Sequence, residues 1–177
     1  MANELITHSR QVVWLYGLSG SGKSTIADGL YTKLLKEHPL VQRLDGDNLR
    51  KGINNNLGFS DLERLENIRR SAEVTKLFFE AHFICLCSFI TPTKQTRVLV
   101  REIIGKNNLL EVYVKASLET CVQRDPKGLY KKVSKGEIKN FTGYDSSFQE
   151  PVNPDLIIYT EKLTIEQSIQ LLYNHLR

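Results

Sequence analysis

Eight consecutive residues, Gly17-Leu18-Ser19-Gly20-Ser21-Gly22-Lys23-Ser24, restrict what this chain can fold into more than anything else in it. They match G-x-x-x-x-G-K-[ST], and the flanks supply the context that makes such a match meaningful. Val12–Tyr16 is an apolar run that reads as a strand, and Lys23–Leu35 reads as a helix ended by the His38-Pro39 region. The glycines let the backbone curl so that several N–H groups converge on an anion. The helix that follows adds the positive end of its dipole. Lys23 then serves the β- and γ-phosphates of a nucleotide, and the Ser24 hydroxyl serves Mg²⁺. A chance glycine-rich turn needs neither flanking element. A dinucleotide site needs G-x-G-x-x-G, a spacing these glycines do not have.

The rest of the chain alternates apolar runs with helical periodicity. Strands are expected at Val41–Leu44, Phe83–Phe89, Leu110–Val114 and Leu156–Tyr159. Phe83–Phe89 is apolar throughout, as a central strand covered on both faces must be. Ser60-Asp61-Leu62-Glu63 and Thr164-Ile165-Glu166-Gln167 have the form of capping boxes, so each should open a helix. On the first of these helices Leu65, Ile68, Ala72 and Phe79 form the core stripe, with Arg64, Asn67 and Ser71 beside it, facing outward or toward a cleft. Further helices are expected at about Lys94–Ile104 and from Leu118 to Arg124. This order predicts an α/β fold of the P-loop nucleoside-triphosphate hydrolase type: a mainly parallel sheet of about five strands flanked by helices. At 177 residues it is expected to be one domain, with a polar tail over residues 1–10. Asp125–Pro154 lacks apolar periodicity and holds Pro126, Gly128, Gly136, Gly143 and Pro151, which suits a substrate lid.

Several function classes drop out on composition and pattern. Residues 1–10 contain no apolar stretch of signal-peptide type, and the longest apolar run is far too short for a bilayer. Cys85 and Cys87 lie two apart in a strand and point to one face, where they cannot easily bridge. With Cys121 they read as core thiols of a reducing compartment. The histidines are scattered without zinc-ligand spacing. The net charge is +4, and Arg124–Lys139 accounts for it with six basic against two acidic residues. That cluster is either a solvated face or an anion clamp. It carries a single aromatic, Tyr130, too few for a nucleic-acid stacking platform.

Among phosphate-loop proteins, a GTPase would need Asn/Thr-Lys-x-Asp, which the chain lacks. A motor or large ATPase would need more length and an acidic pair closing its second phosphate-site strand. A small-molecule or nucleotide kinase remains. The second strand runs into Asp45-Gly46-Asp47-Asn48, two carboxylates at the carboxyl end of a strand, where ligands of such sheets bind. One can hold Mg²⁺ and the other accept the acceptor hydroxyl's proton, and the sequence does not say which does which. A plain turn is the alternative reading, since Asp-Gly and Asp-Asn favour turns.

Five stretches carry a resemblance to a known family. Leu44-Asp45-Gly46-Asp47-Asn48-Leu49-Arg50, Asn56-Leu57-Gly58-Phe59-Ser60, Glu66-Asn67-Ile68-Arg69-Arg70, Arg124 through Lys132 and Phe141-Thr142-Gly143 resemble the adenylyl-sulfate kinases in order and spacing, from about Val12 to Asp155. The resemblance implies transfer of a phosphoryl group from ATP to the 3′-hydroxyl of adenylyl sulfate with Mg²⁺, in a cytoplasmic homodimer, with functional coupling to an ATP sulfurylase and without nucleic acid or membrane partners. It implies Asp47, Lys23 and Asp45 as catalytic, and Ser24 with Asp47 at the metal. Residues 17 to 25, Gly17 through Thr25, and Arg124 would hold ATP. Asp47, Arg50, Phe59, Arg64, Asn67, Ile90, Lys127 and Phe141 would hold the acceptor, with Phe59 and Phe141 as faces for its adenine. The chain departs from the family over Ser88-Phe89-Ile90-Thr91-Pro92-Thr93-Lys94-Gln95-Thr96-Arg97, where a serine usually precedes the proline and more arginines follow it; here Thr91 keeps a hydroxyl, Lys94 a charge, and Arg97 remains. A related kinase with another nucleotide acceptor, or a nucleotide-binding subunit without chemistry, are the alternatives to weigh.

Overall fold

The computed structural model describes residues 11–176; the tail expected over residues 1–10 lies outside the described residues. Five strands, β1 (Val12–Tyr16), β2 (Val41–Asp45), β3 (Ile84–Ser88), β4 (Leu109–Lys115) and β5 (Leu156–Tyr159), form one sheet in the order β2-β3-β1-β4-β5. Every pairing is parallel. β1 is central, with Val12 opposite Cys85 on one side and Leu109 on the other. After β3 the chain crosses β1 to reach β4, so the strand order reverses beside β1. That reversal opens a crevice at the carboxyl ends of the strands.

Strand alternation builds a core on each face. Val13, Leu15, Ile84 and Leu86 point to one side, where they meet Ile26, Leu30 and Leu34 of α1 (Lys23–Leu34) and Leu172 of α7 (Ile165–Leu176). Val12, Trp14, Tyr16, Cys85 and Cys87 point to the other, against Ile68 and Ala72 of α3 (Asp61–Glu80) and Val100 and Ile104 of α4 (Lys94–Ile104). The three cysteines are free and buried.

The capping boxes form as the sequence predicts. Ser60 Oγ accepts the Glu63 amide while Glu63 accepts that of Ser60, and Thr164 pairs with Gln167 in the same way. Of the expected stripe on α3, Ile68 and Ala72 are fully in the core, while Leu65 and Phe79 are half-buried. Asn67 is buried and faces the cleft, while Ser71 is buried deeper, against Asn54. Two short helices were not expected. α2 (Gly46–Lys51) starts where a turn could have been, capped by Asp45, whose Oδ1 accepts the Asp47 amide at 3.0 Å. Within 125–154 lies α6 (Leu129–Ser134), following α5 (Leu118–Arg124); the Asp125 carboxylate accepts the amides of Tyr130 and Lys131. Each spans six residues, too few to show a 3.6-residue period.

Candidate active site

The loop between β1 and α1 turns on glycines at positive φ. Gly17 has φ 149°, and a Cβ there would lie 2.4 Å from the Val114 carbonyl oxygen, so no side chain fits. Gly22, at φ 102°, is the residue before α1; no side chain caps that helix and no acidic residue occupies its first turn. The first amides of α1 are therefore left for an anion. Lys23 is buried, donates to the Leu18 carbonyl at 2.6 Å, and has its pKa lowered to about 8 by burial.

Asp45, at the end of β2, faces this loop. Its Oδ2 accepts from Ser24 Oγ at 2.8 Å and Ser88 Oγ at 2.6 Å, with Arg43 at 3.3 Å. Burial works to raise the Asp45 pKa, but hydrogen bonds from Ser88, Ser24 and the Asp47 amide outweigh it and hold the carboxylate below its ordinary range. Asp47 is half-exposed and pairs with Lys127, which belongs to the segment after α5. The carboxylate bonded to Ser24 is thus Asp45, while Asp47 is turned toward the opposite wall.

These groups border a cleft of about 710 Å³. It is lined by Ser19, Gly20, Gly22, Lys23, Ser24 and Thr25 from the loop and start of α1, and by Asp45 and Asp47. Arg50, Phe59, Arg64, Asn67 and Ile90 line the side toward α3 and β3; Arg124 at the end of α5, and Lys127 and Phe141 from the segment after it, complete the border. Gly17, Leu18 and Ser21, expected at the nucleotide, do not reach it. Gly17 and Ser21 are buried behind it, and Leu18 packs with Tyr130 and Phe141 in a small third core. Of the six basic residues from Arg124 to Lys139, three face the cleft and Lys131, Lys132 and Lys135 are exposed away from it.

The arginines expected to hold the acceptor are already engaged within the protein. Arg50 donates to the carbonyls of Leu57 and Gly58 and stacks 4.3 Å from the Phe59 ring. Arg64 donates to the Phe59 carbonyl at 2.8 Å and also bonds Thr142 Oγ1 and the Asn140 carbonyl, so it ties α3 to the 125–154 segment. Tyr130 joins the same segment to the loop before α1, its hydroxyl donating to the Ser19 carbonyl at 3.0 Å. Asn67 Oδ1 is buried at the cleft with no hydrogen-bond donor among the described residues. Glu66, Arg69 and Arg70 from the same sequence stretch do not enter the cleft. They pair with one another, and Arg70 braces Ile53 and Asn56.

Three contributors escaped the sequence reading. Arg43 joins Asp28, Asp45 and Ser88. Ser88 presents its hydroxyl to Asp45. Thr160 accepts from Arg124 through both its carbonyl and its hydroxyl and donates to the Ser21 carbonyl, fixing Arg124 beside the loop. Apart from Asp45, two positions from Arg43 along the strand, their partners lie 15 to 139 positions away, beyond the reach of a local pattern.

Comparison with known proteins decides the lineage. The family model for adenylylsulphate kinase matches residues 9–159. The chain belongs to the adenylyl-sulfate kinase family. It is 51% identical to an adenylyl-sulfate kinase of Bacteroides thetaiotaomicron over 96% of its own length and 84% of that protein's. One from Oceanobacillus iheyensis is 47% identical, covering 98% and 87%. Among solved structures, the Mycobacterium tuberculosis APS kinase CysC in complex with AMPPNP and APS matches with a TM-score of 0.86 at 40% identity, covering 93% of this chain and 96% of that one. A gluconokinase from Sinorhizobium meliloti matches with a TM-score of 0.63 at 13% identity, which shows the shared fold alone. The expected parallel α/β fold of P-loop kinases is therefore the observed one.

Proposed function

We propose that this member of the adenylyl-sulfate kinase family transfers the γ-phosphoryl group of ATP to the 3′-hydroxyl of adenylyl sulfate, giving ADP and 3′-phosphoadenylyl sulfate. One observation carries this reading. A single cleft joins an open phosphate-gripping loop to a second, arginine- and aromatic-lined end, with two carboxylates between them. The relatives of about half identity support the choice of acceptor.

In this reading the amides around Gly20 and Gly22, with Lys23, hold the β- and γ-phosphates of ATP, and Arg124 and Thr25 border its nucleoside. Ser24 and the neighbouring carboxylates form a hard-oxygen donor set of the kind Mg²⁺ takes alongside phosphates. Ser24 and Asp45 stand 2.8 Å apart and are the residues we assign to it, whereas Asp47, expected at the metal, is paired with Lys127 across the cleft. When bound, Mg²⁺ supplies charge neutralisation on the transferring phosphoryl group. Asp47 is the group we assign to the acceptor hydroxyl, accepting its proton as transfer proceeds. For that it must release Lys127, and the incoming phosphates offer Lys127 a stronger partner. Arg50, Arg64 and Asn67 hold the acceptor's anionic tail and ribose, and Phe59 and Phe141 offer faces to its base. Segment 125–154 is the lid. A homodimer, a cytoplasmic setting, and functional coupling to an ATP sulfurylase rest on the family likeness alone.

The test is direct. Protein, Mg-ATP and adenylyl sulfate are incubated together and the products separated, with other adenine and guanine nucleotides as competing acceptors. The expected result is a 3′-phosphorylated product with the highest kcat/KM for adenylyl sulfate. A folded protein with no product sinks the reading. A higher kcat/KM for another acceptor moves the protein to a different substrate within the same lineage.

A further inference from the structure

The run from Ser88 to Pro92 leaves β3 and lines the cleft. At its middle, Thr91 has φ 44°, a left-handed conformation that β-branched residues avoid. It is fully buried, and what holds it there is visible. Its hydroxyl accepts the indole N–H of Trp14 at 2.9 Å, and its carbonyl accepts from Arg97 at 3.1 Å. Trp14 is itself stacked on Phe89, with ring centroids 4.6 Å apart.

The bend at Thr91 sends the chain in three useful directions. Just before it, the Ile90 carbonyl accepts the amide of Gly17, the first residue of the phosphate loop. Just after it, the Pro92 carbonyl accepts the amide of Gln149, in the returning end of segment 125–154. Gln149 is bonded twice more, its side chain accepting the Lys94 amide at 2.7 Å and its carbonyl accepting from Arg97 at 2.8 Å. One elbow therefore fixes the phosphate loop's start, the acceptor-side wall and the far root of the lid.

We infer that Thr91 and Trp14 are positioning residues for acceptor binding, their buried hydrogen bond setting the elbow so that Ile90 and the root of the lid meet the acceptor together. The inference rests on the acceptor reading proposed above. Thr91 touches no reacting group, and the effect belongs in acceptor KM rather than in the chemical step. Thr91→Val keeps the β-branch and volume and deletes only the hydroxyl, leaving a buried indole N–H without a partner. Trp14→Phe removes the donor and keeps a ring for Phe89.

Steady-state kinetics on both variants, with Thr91→Ser as the conservative control, form the first arm. Thr91→Val and Trp14→Phe should each raise the KM for adenylyl sulfate on the order of tenfold, the scale of one buried hydrogen bond left unmade. The KM for ATP should move less than that for adenylyl sulfate, because the elbow meets the phosphate loop through one backbone bond, Gly17 to Ile90; Thr91→Ser should recover most of the loss, and the double variant should cost no more than either single one. Equal changes in both KM values, or none, overturn the inference. The second arm needs no variant. Trp14 is the only tryptophan in the chain, so its emission reports on the elbow directly. Saturating adenylyl sulfate should change that emission in the wild-type protein, and an unchanged spectrum overturns the coupling even where the variants fail to fold. Wild-type protein that makes no product removes the acceptor reading beneath; wild-type protein that makes product while Thr91→Val matches it removes this inference alone.

Discussion

The two walls of the cleft are made in different ways. The phosphate loop is backbone curled on glycines, with its amide at Gly17 held by Ile90 and no room for a Cβ against Val114. The wall across from it, segment 125–154, is rooted by a backbone bond from Gln149 to Pro92 but held over the cleft by side chains: Lys127 on Asp47, Arg64 on Asn140 and Thr142, Tyr130 on Ser19. The first kind of wall is stiff and specified by one local motif. The second is assembled from groups far apart in sequence, several of them half in water, and the ligands would compete for the same groups. A phosphoryl-transfer site needs both, a fixed grip on the donor and a cover that can open for the acceptor.

The largest effect should come where the two walls meet. Asp47→Asn removes a carboxylate without changing shape, so fold and ATP binding should survive. If Asp47 takes the acceptor's proton, kcat should fall by ~10²–10⁴, the usual worth of a general base. Turnover at the wild-type rate, measured with both substrates saturating, would remove that role. Next comes the stiff wall itself. Gly17→Ala forces a Cβ to 2.4 Å from a backbone oxygen that belongs to the sheet. The chain must shift, at a cost of about 1–3 kcal/mol in stability together with weakened nucleotide binding. A melting temperature and an ATP affinity both equal to wild type would show that the loop is softer than its geometry.

The pH dependence sharpens the same contrast. Burial lowers the Lys23 pKa to about 8 in the free protein, because the charged form is poorly solvated there. A bound polyphosphate restores a counter-charge and raises it. Between about 8 and the pKa in the complex, binding must therefore take up a proton. ATP affinity should fall as pH rises above 8, by at most about tenfold per unit. The sign for folding is the opposite one. The unfolded lysine holds its proton up to a higher pH than the native one, so this residue makes the free protein more stable as pH rises from about 8 toward the ordinary lysine value. Titration calorimetry in buffers of different ionisation enthalpy reads the proton uptake directly. Proton release, or none, would contradict the buried lysine.

The contrast also explains what could be read in advance. β1, the phosphate loop and the strand at Phe83–Phe89 were legible because each is written in adjacent residues: a glycine spacing, or a run apolar on both faces. The boxes at Ser60 and Thr164 were legible for the same reason. Asp45 and Asp47 could be placed at the cleft, but not told apart. What separates them is Ser24 and Ser88 on one side and Lys127 on the other, partners 21, 43 and 80 positions away. Arg43 reads as an ordinary polar residue in a strand, yet it organises Asp28, Asp45 and Ser88. The helix at Lys94 was expected without its cap: Thr93 and Thr96 form a box with threonine where glutamate or glutamine is usual.

The smallest effect on stability, and the clearest on motion, should come from Lys127→Ala. The Lys127–Asp47 pair is about half exposed on both sides, so it should contribute no more than about 1 kcal/mol to the fold. If the second wall is a cover, however, that pair is one of the few things holding it shut in the free protein. The variant should melt within a few degrees of wild type while segment 125–154 is cut faster by a protease of broad specificity. Mg-ATP with adenylyl sulfate should slow that cutting in the wild-type protein, because the ligands replace Asp47 as partners for the lid. A melting loss as large as that of Gly17→Ala would mean that this wall is as much a part of the fold as the loop is. Equal cleavage with and without ligands would mean that it does not close over them, and the division of the cleft into a fixed grip and a moving cover would fail.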